Sequence, residues 1–486
     1  MYPVLHLPSG GFPQKNQYPQ GIHCAFITCL QQALENSVSR IMDIDVTVDP
    51  AHLTRVITDA GERQPLLAKA AIFNAQGTKI LEAGTAINAA IYERLMAHKL
   101  QLPLEQSLTA KNLLNGGALR ESMEVLLDVE PFYARMTASG QQRTLFLEVL
   151  EKLPLPEPVA FQLSVVRDAR PVLFRNALGA AWTMLWLYHR RTATRYDLSM
   201  AASAGLLHDM GMLHLSPALM DRRAELSRDE RRQLYIHPVV GRMLLERHHQ
   251  YSSEVLRAVV EHHEYLDGSG YPQNLMGERI SPMGRALALS SVVVSLLGDR
   301  HRGGELRLAV LLRMNQHRYA PELIRHFMGL LRPEEDPRSA AVDALDEPLE
   351  ALHAAYRIAS DWPRQATGFE GVTPERLAAM QAVTRQVDLF CRTLVSAGVS
   401  PGQLAALGDV SGDAMLMREL TLLAREAAWQ LRSLSRQARR SWRGGADGIY
   451  PRLLLHWLES AEGLSQRTLP ASLDRRSDDT PSLTEA

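Results

Sequence analysis

Apolar positions recur at helical spacing through most of the chain. Between Asn176 and Tyr188, the residues Leu178, Trp182, Leu185 and Trp186 form a stripe that predicts a buried helix. Val255, Leu256, Val259 and Val260 mark a second, amphipathic helix that ends at His262 and His263. The stretches LDEPLEALHAAYRIA and RELTLLAREAAWQLRSL carry the same period through residues 342–463. A different pattern occupies residues 66–100. In LAKAAIFNAQGTKILEAGTAI two apolar runs are separated by Gly77 and closed by Gly84, which predicts a small hairpin. A helix over Asn88–Leu100 follows, with Ile91, Leu95 and Met96 on one face. Residues 1–40 open rich in Pro and Gly and pass into a short helical pattern around Cys24–Ile41.

Proline-bearing breaks divide these elements. LPLPEP at 153–158 reads as a linker or boundary, and RPEEDPRSA at 332–340 as a charged linker. The expected organisation is an N-terminal segment (1–60), a hairpin-plus-helix module (61–107), a helical connector (108–170), a helical domain (171–330), a C-terminal helical region (331–463) and a tail (464–486). The tail is polar enough to predict disorder. The fold class is mostly α: a central helical bundle, a small α+β N-terminal module and a C-terminal helical region. No internal repeat is present.

Composition narrows the function classes. A formal charge of -1 gives no general reason to bind nucleic acid. A hydrophobic content of 46% is ordinary for a soluble protein. No apolar run approaches the roughly 18 residues of a bilayer span. The opening MYPVLHLPSGGFPQKNQ lacks a basic stretch leading into an apolar one, so no signal peptide is expected and the protein reads as cytoplasmic. Cys24, Cys29 and Cys391 fit neither a disulfide framework nor a zinc CxxC pair. Arg436, Arg439, Arg440 and Arg443 around Trp442 could meet an anionic partner, but a solvated helix face is the commoner use of such a run. Trp182 and Trp186 read most simply as core.

Candidate chemistry concentrates in residues 208–272. His208 and Asp209 lie in HDMGM, His237 precedes Pro238, and His262-His263 open HHEYLDGSGYP. Imidazoles paired with a carboxylate suit a divalent transition metal, and the carboxylate can span to a second ion. The apolar run Ala201–Leu207 delivers His208 and Asp209 to a helix end, with Gly211 permitting a turn. Pro238 suits the first turn of the next helix. Neighbouring residues on a helix point about 100° apart, so His262 and His263 can share one ion only at a helix end. The glycines of DGSGYP would let backbone N–H groups approach a phosphate. The plainer reading is a set of satisfied core histidines, and the agreement of several spaced motifs favours metal binding over it. His189 and His214 could substitute as ligands, although solvent-facing histidines are commoner.

Together HDMG, HPVVG, HHEYLDGSGYP and the downstream GERISPMGRALAL resemble the HD-GYP family, a branch of the HD superfamily of metal-dependent phosphohydrolases. The resemblance covers residues 171–310. It implies hydrolysis of cyclic di-GMP to pGpG or GMP by two or three iron or manganese ions, which generate hydroxide and neutralise the phosphodiester. It further implies metal ligands at His208, Asp209, His237, His262 and His263, with Asp209 the central catalytic group. Substrate contacts fall on Gly270, Tyr271, Pro272 and Arg300. Three positions depart from the pattern: Asn176 stands where a ligand histidine is expected, Met212 where a lysine is, and Ser291 where a late aspartate is. The site served by 176 and 291 therefore loses two ligands, while the other keeps Asp209 and three histidines. Asparagine and serine are weak neutral ligands, so one ion or none is expected, with hydrolysis impaired or absent. The favoured reading is a degenerate signalling module that binds cyclic di-GMP, a related cyclic dinucleotide or a protein partner through its flanking helical regions. The alternatives are an active phosphodiesterase and a scaffold in which the GYP turn only packs. Apolar helical faces within 342–463 also suit a homodimer.

Overall fold

The computed structural model describes residues 50–191, 194–216, 219, 228–297, 304–333, 345–362, 374–408, 410, 412–442 and 452–469. The expected helix around Cys24–Ile41, Arg300, Arg443, the side chain of Arg440 and residues 470–486 lie outside them.

Helix α1 (Pro50–Gly61) leads into five strands: β1 (Leu66–Ala68), β2 (Ile72–Phe73), β3 (Lys79–Leu81), β4 (Ala86–Ile87) and β5 (Leu108–Ala110). The predicted hairpin is β2 against β3, antiparallel, with Gly77 in the turn. Asn74 shapes that turn: its Oδ1 accepts from Gln76 N at 3.1 Å and Thr78 N at 2.8 Å. A second sheet, ordered β4-β1-β5, had no readable signal, because none of its strands exceeds three residues. Since β5 pairs with β1, the module extends past the expected boundary at 107. The helix expected over Asn88–Leu100 is shorter, a 3-10 turn at Ala89–Ile91 followed by Tyr92–Met96. The chain leaves the helix there because the hairpin claims its backbone: Ala75 N donates to Lys99 O at 2.7 Å, and Gln101 N to Phe73 O at 2.9 Å.

Helices α2 (Gly116–Val129), α3 (Gly140–Glu151) and α4 (Glu157–Ala169) follow, with LPLPEP joining the last two. The bundle core is α5 (Pro171–His189), packed on α4, on α6 (Arg195–Leu207) and on α10 (Pro282–Leu297). Between them lie α7 (Arg228–Tyr235), α8 (His237–Glu246) and α9 (Ser253–Glu261). The predicted stripe on α5 is buried, and so is nearly every other residue from Phe174 to Tyr188. Trp182 Nε1 donates to Tyr133 O at 3.0 Å, and Trp186 packs on Phe327, 5.1 Å between ring centres. Burying either indole is worth about 3–5 kcal/mol against alanine.

Helices α11 (Gly304–Met314) and α12 (Pro321–Met328) complete the bundle. The C-terminal region is α13 (Pro348–Ser360), α14 (Pro374–Ser396), α15 (Ala414–Trp442) and α16 (Arg452–Thr468), and α15 packs on α11, α13, α14 and α16. Helix α16 runs past the expected tail boundary at 464, with Leu464, Ser465 and Leu469 buried, because its apolar face continues. The basic run on α15 is not a bare solvated face. Arg439 is half-buried and pairs with Glu462 on α16 at 2.8 Å, and Trp442 is buried. Among the described residues no helix is long and apolar enough to cross a membrane.

Candidate metal centre

Three helix termini build the site. Helix α6 is apolar to Leu207, so His208 follows as its C-cap and Asp209 starts the 3-10 turn Met210–His214. His237 and Pro238 occupy the first turn of α8. Helix α9 is capped by Ser252, whose Oγ accepts from Val255 N at 3.3 Å, and it delivers His262 and His263 at its far end. Two glycines allow these termini to meet. A Cβ on Gly211 would stand 2.0 Å from His237 O, and one on Gly270 2.4 Å from His263 O. A contact within the protein thus explains Gly270, with no phosphate role required.

Asp209, His237, His262 and His263 place one ligand atom each within 4.8 Å of one another. His237 Nε2 and His262 Nε2 are 3.4 and 3.5 Å from Asp209 Oδ1, and 3.1 Å from each other. His208 Nε2 faces the other oxygen, Oδ2, at 3.1 Å. The far nitrogen of each ring explains what these atoms are. His208 Nδ1 lies 2.8 Å from Gly205 O, His237 Nδ1 2.7 Å from Leu234 O and His262 Nδ1 2.6 Å from Val259 O. A carbonyl can only accept, so Nδ1 carries the proton and Nε2 of the neutral ring presents a lone pair. Lone pairs then face lone pairs and a carboxylate, an arrangement that only a cation relieves.

A proton is a poor candidate for that cation on the complete side. Burial pushes His262 down to about 4 and His263 well below its usual value. On the other side burial would lower His208, but the Asp209 carboxylate outweighs it and raises the value. Burial opposes the charge on Asp209, yet the charge of His208 beside it outweighs this and holds its pKa well below the usual carboxylate range. Imidazole nitrogens fixed by Nδ1 donation, together with one carboxylate, are a donor set that fits a divalent transition metal.

Buried carboxylates that sequence reasoning passed over hold this geometry. Glu264 accepts from Gln273 N at 2.6 Å and Leu275 N at 2.8 Å, pinning the loop after Pro272. Glu261 accepts from Ser281 N and Arg257 Nε at 2.8 and 2.7 Å. Tyr271 stacks between His263 and Tyr235, with ring centres 4.6 and 4.1 Å away. The available signal was acidic residues directly after an apolar helical stripe. Of the remaining candidates, Met212 is half-buried in the 3-10 turn. Asn176 and Ser291 are half-buried on α5 and α10, which both pack on α6. His214 is buried rather than solvent-facing, and His189 sets its ring edge-on against Phe146 at 5.5 Å. Neither belongs to the four-residue set.

The HD domain family model matches residues 187–323, which hold every motif above except position 176. A cyclic di-GMP phosphodiesterase of Pseudomonas aeruginosa is 32% identical over 132 residues, 26% of this chain and 32% of its own. The cyclic di-GMP phosphodiesterase response regulator RpfG of Xanthomonas campestris is 35% identical over 98 residues, 20% of this chain and 26% of its own. A 3'3'-cGAMP-specific phosphodiesterase of Vibrio cholerae is 33% identical over 97 residues, 20% of this chain and 21% of its own. The chain thus spans between about a fifth and a third of the length of these relatives. With HDMG, HPVVG and HHEYLDGSGYP converging inside the matched span, the chain carries an HD domain of the HD-GYP family.

Proposed function

We propose that this protein binds a cyclic dinucleotide at a centre with one complete metal site, and that its hydrolytic activity is impaired or absent. The observation that carries the reading is the convergence of Asp209, His237, His262 and His263, beside Asn176, Met212 and Ser291 where the family resemblance calls for histidine, lysine and aspartate. Asp209 stays anionic through the working pH range, and burial keeps His262 and His263 as neutral lone-pair donors. Iron or manganese held by these four residues would supply Lewis-acid charge to a phosphodiester oxygen. Glu264 and Tyr271 keep the loop seated beside His263. The flanking helical regions would offer surfaces for a protein partner or a second copy, in a cytoplasmic signalling role.

A specific observation favours the active reading as its rival. His208 Nε2 is buried without a hydrogen-bond partner and faces Asp209 Oδ2, so part of a second site persists. Loading the protein with iron or manganese and adding cyclic di-GMP separates the two. About one ion per chain, with calorimetric binding and no pGpG, is the expected result. Two ions with pGpG release would establish the phosphodiesterase instead.

A further inference from the structure

A polar chain, buried at Glu426, Gln430 and Asn315 and half-buried beyond them, runs from the C-terminal helical region to the loop that carries the GYP motif. Glu426, on α15, is fully enclosed. Its Oε1 accepts from Asn315 Nδ2 at 2.9 Å and from Gln430 Nε2 at 2.7 Å. Asn315 follows α11 and opens the turn Gln316–Arg318, where Arg318 N donates to Asn315 O at 3.0 Å. That turn holds the loop. Leu266 N donates to Arg318 O at 3.0 Å, and His317 Nε2 and Arg318 Nε lie 3.4 and 3.6 Å from Asp267 Oδ2. The Arg318 guanidinium also sits 5.3 Å over the Tyr265 ring. Asp267 Oδ1 accepts from Ser269 N at 2.9 Å, Gly277 N donates to Leu266 O at 3.0 Å, and Tyr271 N donates to His263 O at 3.0 Å. The chain therefore ends on a metal-centre histidine.

Enclosing a carboxylate is costly unless its charge is answered. Glu426 Oε2 has no hydrogen-bond partner, so the amides of Asn315 and Gln430 alone do not satisfy the group. Burial would lower the Arg318 pKa, and the fields of Asp267, Tyr265, Tyr319 and Glu426 raise it. The cation that pairs with Asp267 also feels Glu426, as the weakest of these fields. A plain docking role has its own marker across the same two helices: Arg313 pairs with Glu419, half-buried.

We infer that Glu426 is a positioning residue for the metal centre, fixing the loop from Glu264 to Gly277 through Asn315 and the turn Gln316–Arg318, so that docking of the C-terminal region and the setting of His263 are coupled. Its metal readout rests on the function proposed above; its loop readout does not. The test uses the full chain with Glu426→Ala, the milder Glu426→Gln, and Glu419→Gln as the docking control. Hydrogen exchange over residues 264–277 is measured without metal, and manganese affinity by titration. Losing a hydrogen-bonded buried charge is expected to speed exchange there about tenfold in Glu426→Ala. Manganese should bind several-fold more weakly, with Glu426→Gln intermediate and Glu419→Gln unchanged in both. Unaltered exchange over 264–277 in both Glu426 variants, or an equal change in Glu419→Gln, overturns the inference. A parent protein that takes up no manganese would sink the metal-centre reading, leaving exchange to decide this one.

Discussion

The two oxygens of Asp209 face unequal surroundings. Around Oδ1 stand His237 and His262, with His263 within reach, while among the described residues His208 faces Oδ2. The side at Oδ1 is made from helix termini whose loops are pinned by Glu264, by Gly270 against His263 O and by Gly211 against His237 O. The residues that the family resemblance assigns to the second ion, Asn176 and Ser291, lie inside helices α5 and α10. Replacing a ligand in a helix interior changes intrinsic helix propensity by less than about 1 kcal/mol and disturbs no loop. Replacing one at a terminus loosens the packing around it. On the proposed reading, the mid-helix ligands are the ones that could be lost while the fold survived.

That contrast can be broken most directly at its hub. Asp209→Asn should weaken manganese binding at least about a hundredfold, and a titration showing a minor loss would end the asymmetry argument. Restoring the poor side comes next in size. Asn176→His with Ser291→Asp should raise bound metal from about one to about two ions per chain and start pGpG release. An unchanged metal count would mean that these positions do not face the centre.

Acid tests the well-furnished side in the metal-free protein. His262, and His214 in the adjoining turn, are each lowered from 6.5 to about 4 by burial. Between those values the unfolded chain binds more protons than the folded one. The stability these two rings contribute is fully present above pH 6.5 and is lost as pH falls toward 4, by several kcal/mol, offset in part by His208, whose raised value acts in the opposite direction. Asp209, depressed further, acts in the same direction as His262 and His214 at lower pH. Thermal melts that stay level from pH 6.5 to 4 would contradict neutral buried rings. The smallest effect is steric: Gly270→Ala should cost about 2 kcal/mol in denaturant melts, because the added methyl meets His263 O.

Much of this was legible in the chain. The His237-Pro238 step, the helix stop at His262 and the hairpin at Gly77 follow from local rules that tertiary packing left intact. The sheet β4-β1-β5 escaped because alternation cannot be recognised in strands of two or three residues. The helix after Asn88 is shorter than apolar spacing predicts because that spacing does not register a competing backbone partner such as Ala75 N, which takes Lys99 O. Glu261, Glu264 and Asp267 draw no individual assignment from the sequence. Their roles depend on amides 9 to 20 residues onward for the two glutamates, and for Asp267 on a turn from another helix pair, and periodicity carries neither fact.

The Nδ1 clamps on His208, His237 and His262 have a consequence for how the centre fills. Each ring is already locked in tautomer and orientation by a carbonyl three residues before it, so an arriving ion would prompt no rotamer search and would forfeit little side-chain entropy. Capture would then be governed by access and dehydration of the ion, with the imidazoles held in the same pose before and after an ion is seated.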